Sequence, residues 1–466
     1  MLKVLCLFLG FALPLSLSAQ NKPNIIFILA DDMGYGDLGC YGQKLIETPH
    51  IDQLAARGIK FTRFYSGTSV CAPSRSSLLT GQHTGHTPVR GNKEIQPEGQ
   101  FPLPDSAFTI AEMLKQAGYA TGDFGKWGLG YPGSEGVPNK QGFDVFFGYN
   151  CQRESHNYFP DHLWNNEARI NYPNTPENQQ YYAPDLIQRE SLKFIEDNKE
   201  RPFFLYLSFT LPHAALQLPA GDRYLEYYKR KFNEQPTSIP PQWNGKGYQP
   251  QAYPHAAYAA MVSRLDDYVG EVVEKIRSLG IENNTLILFT SDNGPHHEGG
   301  NDPAFFNSSG NFRGMKRDLY EGGIRTPLIA YWPRVITQPR VSNHIGAYWD
   351  FMPTFAQMAG LPIPSTTDGI SILPTLESRG KQKQHRYLYW EFHEEGGRQA
   401  VRMGKWKGVK QQVMRDANSP MELYNLDTDP GETIDIAQEY PQIVNKIQKI
   451  MDDAHRENPG FPFLKK

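Results

Sequence analysis

The 466-residue sequence is poor in cysteine, in long hydrophobic stretches and in net charge. Four cysteines are too few to frame a protein of this size with disulfides. After its N-terminal segment, no stretch approaches the roughly 18 apolar residues that a membrane-spanning helix needs. A formal net charge of −3 lacks the basic excess typical of nucleic-acid-binding proteins. The composition therefore argues against a disulfide-rich scaffold, a membrane-spanning protein and a nucleic-acid binder.

The first 19 residues have the features of a signal peptide. Lys3 supplies a short positive segment, residues 4–17 are apolar, and a small-residue cleavage site ends at Ala19. We therefore expect an exported protein, periplasmic or secreted, cleaved near Ala19. Cys6 leaves with this segment, and no cysteine stands at the cleavage site to carry a lipid anchor.

Apolar runs alternate with helix-like segments through most of the chain. The runs predicted as strands buried on both faces are residues 24–30, 202–209 and 285–290. Ser106 is predicted to cap a helix that carries Ile110, and a longer helix is predicted over residues 256–279. The alternation predicts an α/β fold, with a mostly parallel sheet covered by helices on both faces.

The pattern changes after about residue 370. Residues 386–392 and 399–410 alternate like paired antiparallel strands, and residues 440–455 fit an amphipathic helix. The chain also exceeds the length at which single hydrophobic cores stop growing. We therefore expect a large domain over residues 20–372 and a smaller C-terminal α+β domain over residues 373–466.

Oxygen-bearing side chains follow two of the predicted strands. Asp31 and Asp32 end the first strand, and Asp292 and Asn293 end the strand at residues 285–290. In an open α/β sheet, ligand sites form outside the carboxyl ends of the strands. Adjacent buried carboxylates repel each other without a cation, and oxygen ligands favour Ca²⁺ or Mg²⁺. A solvated turn would explain Asp31 and Asp32 alone, but the two motifs together predict a metal site.

The most informative stretch is Ser-Val-Cys-Ala-Pro-Ser-Arg-Ser-Ser-Leu-Leu-Thr-Gly at residues 69–81. It places Cys71, a proline and Arg75 at the start of a helix-like segment, where Arg75 would face the same way as Cys71. Cys-x-Pro-x-Arg followed by Leu-Thr-Gly resembles the signature of the formylglycine-dependent type I sulfatases, of the alkaline phosphatase superfamily. The resemblance extends over nearly the whole chain after the signal segment.

This resemblance implies a sulfatase that hydrolyses an O-sulfate ester, with an alkaline-phosphatase-like fold. In the family, a formylglycine-generating maturation enzyme oxidises the cysteine to 3-oxoalanine (formylglycine), and a hydroxyl of the hydrated aldehyde attacks sulfur. Carried onto this chain, the modified residue is Cys71. The family's single Ca²⁺ would be bound by Asp31, Asp32, Asp292, Asn293 and the formylglycine oxygen from Cys71.

The resemblance also assigns the cationic residues. Lys126 and Lys316 stand in glycine-rich segments and match family positions that bind sulfate oxygens, and Arg75 would hold the diol. His213 matches a histidine near the bridging ester oxygen, and imidazole suits proton donation near neutral pH. We expect His213 to act as the general acid for the departing alcohol. Arg317, beside Lys316, is interpreted as structural.

One position departs from the family pattern. Many members carry a histidine two residues after the first lysine, where it contacts the diol, whereas this chain has Gly128. Lys126, or a histidine from the run that contains His83 and His86, could take over its function. The sequence leaves that choice open.

The segment at residues 148–165 is dense in polar and aromatic groups, as expected of a sugar-binding surface. The candidate substrate-binding residues there and after the second metal motif are Arg153, His156, Tyr158, Trp164, His296 and His297. Parts of this region look similar to bacterial sulfatases acting on sulfated galactose or N-acetylgalactosamine. The expected substrate is therefore a sulfated glycan of the glycosaminoglycan or mucin type.

Alternatives remain open for both function and cysteine pairing. Phosphonate monoester and phosphodiester hydrolases of the same superfamily can share Cys-x-Pro-x-Arg, and Gly128 would also suit a glycan-binding pseudo-sulfatase. Cys40 and Cys151 could form one disulfide or stay free, since nothing in their spacing decides.

Overall fold

The computed structural model describes residues 22–238 and 247–463, so the predicted signal peptide lies outside the described residues. The strands in these ranges are β1 (Asn24–Ala30), β2 (Ile59–Tyr65), β3 (Ala120–Lys126), β4 (Val145–Tyr149), β5 (His162–Asn165), β6 (Ala168–Asn171), β7 (Phe203–Ser208), β8 (Thr285–Ser291), β9 (Arg325–Tyr331), β10 (Arg340–Ser342), β11 (Gly346–Ala347), β12 (Leu388–Phe392), β13 (Arg398–Met403), β14 (Trp406–Gln411) and β15 (Met421–Asn425).

The α-helices lie between and after these strands. They are α1 (Pro49–Arg57), α2 (Cys71–Thr80), α3 (Ile110–Gln116), α4 (Ala183–Asp197), α5 (Arg223–Phe232), α6 (Pro254–Ser278), α7 (Pro303–Phe306), α8 (Glu321–Ile324), α9 (Phe351–Ala359), α10 (Leu373–Glu377) and α11 (Pro441–Ala454). Within the described ranges, no helix combines the length and the apolar character that crossing a bilayer requires.

The described strands form one large sheet and one small sheet. The large sheet runs in the order β10-β2-β9-β8-β1-β7-β3-β4-β5-β6, with β11 beside β2. Its central pairs β8–β1, β1–β7, β7–β3 and β3–β4 are parallel, whereas β9 is antiparallel to both β2 and β8. The small sheet, β12-β13-β14-β15, is antiparallel. The predicted α/β fold with a C-terminal antiparallel sheet is confirmed.

Strand β1 lies at the centre of the core. All seven of its residues are buried, because helices cover both faces of the sheet and each face needs apolar side chains. Ala30 pairs with Ser291 at the ends of β1 and β8, and the Asp292 amide donates to the Ala30 carbonyl at 3.0 Å. This register brings the two oxygen-rich motifs side by side.

The start of α3 differs from the prediction. Ser106 does not cap this helix; Thr109 does, through a capping box in which its hydroxyl accepts from the Glu112 amide and the Glu112 carboxylate accepts from the Thr109 amide. Ser106 is too far ahead of the first helical residue, Ile110, to reach the free N–H groups of the first turn. The Ser106 assignment was wrong because a nearer hydroxyl has the capping geometry.

The C-terminal part packs its small sheet and α11 around a separate apolar cluster that includes Tyr389, Val401 and Ile447. The division of the chain at residue 372 remains a prediction. Cys40 and Cys151 are free in this structure.

Candidate active site

Four neighbouring strands, β8, β1, β7 and β3, direct polar residues to one edge of the sheet. Asp31 and Asp32 follow β1, Asp292 follows β8, Lys126 ends β3, and His213 lies five residues after β7. All these strands are parallel, so their carboxyl ends share this edge. The structure thus brings together residues that are far apart in the sequence.

Cys71 is the first residue of α2 and faces the aspartates. Its Sγ lies 3.3 Å from Asp31 Oδ1 and 3.8 Å from Asp32 Oδ1, and the residue is only 1% exposed. Burial and the charge of Asp31 raise the pKa of the Cys71 thiol well above its ordinary value. Pro73 fits here because the first helical turn needs no intrahelical N–H.

Arg75 lies one turn further along α2 and points to the same site, as the spacing predicted. Its Nε and Nη2 donate to Asp292 Oδ2 at 3.2 and 2.9 Å, and its Nη1 donates to the Lys126 carbonyl at 2.6 Å. The side chain is fully buried, so the ion pair is not weakened by water. Arg75 therefore ties the ends of β8 and β3 to the helix that carries Cys71.

Two lysines pair with the two adjacent aspartates. Lys126 Nζ donates to Asp31 Oδ2 at 2.6 Å, and Lys316 Nζ donates to Asp32 Oδ2 at 2.7 Å. Burial alone would favour neutral carboxyls, but Lys126 holds the pKa of Asp31, and Lys316 that of Asp32, well below its ordinary value. Both carboxylates are therefore charged at neutral pH.

His213 contacts both Lys316 and Asp32. Its Nε2 is 3.1 Å from Lys316 Nζ and 3.2 Å from Asp32 Oδ2, while its Nδ1 contacts the Ala214 carbonyl. The carbonyl can only accept, so Nδ1 carries the proton and Nε2 is an acceptor. Burial and the Lys316 charge lower the pKa of His213 to about 4. The imidazole is thus neutral near pH 7, with Nε2 directed into the site.

The residues at the strand ends fit a calcium ion. Asp31, Asp32, Asp292 and Asn293 are fully buried, and their side-chain oxygens are the ligand type that Ca²⁺ prefers. Asn293 Nδ2 donates to Asp32 Oδ1 at 2.7 Å, whereas Asn293 Oδ1 has no hydrogen-bond partner within the described residues. Burial and the neighbouring Asp31 raise the pKa of Asp292 to about 7. A crowded acidic group and an unpaired amide oxygen are what a hard cation would satisfy.

The candidate substrate-binding residues separate into two groups. His156 and His296 join the site, because their rings stack on the His213 ring at centroid distances of 4.6 and 5.6 Å. Tyr158 is buried and donates its hydroxyl to the His213 carbonyl at 2.7 Å, so it supports the loop and presents no sugar-binding face. Tyr248 contacts the rings of both His156 and His213.

The other candidates bond to groups outside the catalytic centre. The Trp164 indole donates to Glu98 at 2.6 Å, and the Arg153 guanidinium is 2.9 Å from Glu94. His297 is exposed and contacts a methionine sulfur. A cavity of about 500 Å³ nevertheless opens beside this region, lined by Arg153, Glu154, His156, Asn157, Gln217, Gly247, Tyr248 and Gln249.

His83 and His86 were the candidates to replace the family histidine that is missing at position 128. Both contact a different carboxylate. His86 Nδ1 is 2.9 Å from Asp368, and His83 Nε2 is 3.7 Å from the same carboxylate. The His83 ring also packs against Tyr389 of the small sheet. Neither histidine is bonded to Cys71 or Lys126 in the described structure, so the structure gives no support to this substitution.

Sequence reasoning missed Glu298 and Tyr248. Glu298 accepts from Lys316 Nζ at 2.7 Å and from Arg317 Nη2 at 2.6 Å, so it orients Lys316 toward Asp32. An acidic residue two positions after His296, close behind the metal motif, was an available signal for Glu298. Tyr248 had no such signal, because it reaches the site from a remote loop.

Comparisons with known proteins agree with this geometry. The sulfatase family model matches residues 23–361, and the model of the C-terminal part of N-sulphoglucosamine sulphohydrolase matches residues 310–457. Human arylsulfatase A is 33% identical, over 94% of this chain and 89% of its own length. Mouse N-acetylgalactosamine-6-sulfatase is 30% identical, over 97% of this chain and 89% of its own length.

Solved structures show the same fold. Ps i-CgsB, in complex with k-i-k-neocarrahexaose, superimposes with a TM-score of 0.79 at 28% identity, covering 96% of this chain and 95% of the other. A protein described in connection with the metabolism of multiple glycosaminoglycans by Bacteroides thetaiotaomicron gives a TM-score of 0.76 at 26% identity, covering 93% of this chain and 99% of the other. Family models, relatives and structures lead to one conclusion: this chain is a sulfuric ester hydrolase and belongs to the sulfatase family.

Proposed function

We propose that this protein hydrolyses an O-sulfate ester of a carbohydrate, using formylglycine formed from Cys71 and one bound Ca²⁺. The observation that carries the proposal is the position of Cys71, 3.3 Å from Asp31 at the N-terminus of a buried helix. Lys126, Arg75 and Lys316 surround the same carboxylates. A nucleophile at residue 71 would therefore face a cluster of cations suited to a sulfate group.

The calcium ion would be held by Asp31, Asp32, Asp292 and Asn293. When bound, it would polarise an oxygen of the sulfate group as a Lewis acid. Without it, the three carboxylates face three permanent cations, Lys126, Lys316 and Arg75, so the site is close to neutral. A divalent cation gives the site a net positive charge, which favours binding of an anionic sulfate ester.

The residues around the site have separate roles in the proposed reaction. Formylglycine, once hydrated, supplies the hydroxyl nucleophile at residue 71. Arg75 and Lys126 fix the surroundings of residue 71, and Lys316 binds sulfate oxygens as negative charge moves toward the leaving group. The protonated Lys316 Nζ lies 3.1 Å from the unprotonated His213 Nε2, so Lys316 can supply the proton that His213 then donates to the departing ester oxygen.

The substrate class follows from the surroundings of this centre. His156 and Tyr248 line a cavity of about 500 Å³ together with hydrogen-bonding side chains such as Gln217, a mixture of rings and polar groups that suits a sugar. N-acetylgalactosamine-6-sulfatases are among the relatives, and a structural neighbour binds a neocarrahexaose. We propose a sulfated galactose or N-acetylgalactosamine residue of a glycan, hydrolysed after export, with a maturation enzyme converting Cys71.

The direct test is a sulfate-release screen on defined sulfate isomers of galactose, N-acetylgalactosamine and N-acetylglucosamine. Mass spectrometry of the peptide containing residue 71 should find 3-oxoalanine in the active protein, and Cys71→Ala should abolish turnover without unfolding. Cys151→Ala, at a buried free cysteine, is the matched control and should stay active. An unmodified thiol in active protein, or a strong preference for phosphodiesters, would refute the proposal.

A further inference from the structure

The carboxamide of Gln152 is a buried polar group that none of the assigned functions uses. Gln152 is 6% exposed, and its Nε2 has no hydrogen-bond partner in the part of the chain that the structure describes. A buried amide donor left unpaired costs free energy comparable to a lost hydrogen bond. A group held in this state therefore requires an explanation, and a ligand oxygen would provide one.

The backbone holds Gln152 in place on both sides. The backbone N–H of Gln152 donates to Gln100 Oε1 at 3.0 Å, and the Ser155 hydroxyl donates to the backbone carbonyl of Gln152 at 2.6 Å. The backbone amides of Trp127 and Gly128 donate to the carbonyls of the third and the second residue before Gln152, at 2.9 and 3.1 Å. The segment after β3 and the segment after β4 thus stay side by side beyond the ends of their strands.

Gln152 fills the space that a side chain at position 128 would enter. A Cβ atom at Gly128 would lie 3.0 Å from Gln152 Cγ and 3.1 Å from Gln152 Nε2. The φ angle of Gly128 is +75°, a conformation that favours glycine. Two independent features therefore keep position 128 free for the amide of Gln152.

The two segments around Gln152 carry active-site residues. Lys126, two residues before Gly128, contacts Asp31 at 2.6 Å. His156, four residues after Gln152, stacks on His213 at 4.6 Å. Gln152 thus packs against the segment that carries Lys126 and shares its own segment with His156, and both of those residues reach the active site.

We infer that Gln152 is a substrate-contacting residue whose Nε2 donates a hydrogen bond to a sulfate oxygen at the Lys126 side of the site. This inference rests on the proposed function, since it assigns the donor a sulfate group as its acceptor. A carboxamide donates two hydrogens and carries no charge, so it can bind an oxyanion but cannot take up a proton. Gln152 therefore helps to hold the sulfate group and does not serve as a base.

The test compares Gln152→Leu with Gln188→Leu. The first variant removes the donor and keeps much of the volume. The second is the matched control, since Gln188 is a buried glutamine on α4 whose Nε2 is already bonded to Tyr268 and Glu271. For both variants we would measure kcat/KM on the preferred sulfate ester, inhibition by inorganic sulfate, the Tm and the formylglycine content.

We expect Gln152→Leu to lower kcat/KM roughly 100-fold, as loss of one preorganised donor to an oxyanion does. The inhibition constant for inorganic sulfate should rise roughly tenfold, as expected for a lost bond to a charged acceptor. Formylglycine content should not change. Gln188→Leu should lower the Tm and leave sulfate inhibition as in the wild type. Unchanged sulfate inhibition in folded Gln152→Leu would overturn the inference.

Gly128→Ala gives a second, independent measurement. The added methyl group meets Gln152 at 3.0–3.1 Å and should displace its amide, so sulfate inhibition should weaken here too. In the double variant with Gln152→Leu the two effects should not add, because both act through one donor. Full additivity would contradict the inference. A wild type that releases sulfate from no ester would refute the proposed function. An active wild type with an equally active Gln152→Leu would refute only the role of Gln152.

Discussion

At the residue scale, the site consists of opposite charges buried at contact distance. The pairs Lys126–Asp31, Lys316–Asp32 and Arg75–Asp292 are separated by 2.6, 2.7 and 2.9 Å. Breaking one such pair leaves a buried charge without a partner and costs about 3–5 kcal/mol. Truncations here therefore lower stability as well as activity, and substitutions that keep the shape give clearer tests.

Asp292→Asn is such a substitution. It retains an oxygen that accepts from Arg75 but removes one negative charge from the proposed calcium site. We expect a large loss of bound calcium, measured by elemental analysis of purified protein, together with a loss of sulfate release. Asp266→Asn, at a buried aspartate that accepts from amides of α1, is the control and should keep its calcium. Normal calcium content in Asp292→Asn would refute the ligand assignment.

Glu298→Gln tests how far the orientation of Lys316 matters. The carboxylate of Glu298 binds Lys316 and Arg317, and the neutral amide would hold both less firmly. We expect kcat/KM to fall roughly tenfold to a hundredfold through misplacement of Lys316, with the protein still folded. Glu395→Gln removes an exposed carboxylate beside the same Arg317 and should have almost no effect. Equal activities of the two variants would show that Lys316 needs no such support.

At the scale of elements, the strands and helices that the sequence predicts are those set by the residues within them. Strands β1 and β8 could be located because each is a continuous apolar run, and the residues that follow them could be placed at one sheet edge by topology alone. Tyr248 and Gln152 could not be placed, since each meets the site through contacts between segments distant in sequence. Spacing along one strand or helix does not encode such contacts.

The start of α3 offers a prediction at this scale. Thr109→Ala removes a side chain that caps the helix and also donates to the Gln141 carbonyl at 2.8 Å. We expect a loss of about 1 kcal/mol in the free energy of unfolding, seen as a lower midpoint in denaturant. Ser106→Ala, three residues earlier and exposed, should change stability by less than about 0.5 kcal/mol. The reverse ranking would restore Ser106 as the cap.

At the scale of the whole molecule, one buried carboxylate joins the small sheet to the rest. Glu391 on β12 accepts from His393, His455 and the Tyr389 hydroxyl, each at 2.7 Å, and lies 3.5 Å from Arg90. Burial opposes its ionisation, but the bonds from His393 and His455 lower the pKa of Glu391 to about 2. Its charge therefore stabilises the native structure.

This shift predicts a pH dependence of stability. A carboxylate whose pKa falls from an ordinary value of 4.5 to about 2 on folding stabilises the protein fully above pH 4.5. That contribution, roughly 3 kcal/mol, is lost as the pH drops toward 2. Glu391→Gln should therefore lower the Tm at pH 7. Its Tm should also fall less than that of the wild type when the pH is lowered. Glu439→Gln, at an exposed position, should match the wild type at every pH.

The burial of Cys71 has a consequence for the order of events in the cell. Helix α2 is buried along its whole length, and the Glu391 carbonyl on β12 accepts from Thr68, just ahead of that helix. An enzyme that must grip the chain around residue 71 finds no exposed segment there once the protein has folded. The proposed conversion of Cys71 would therefore have to precede folding, and a chain that folded first would keep an unmodified cysteine at this position.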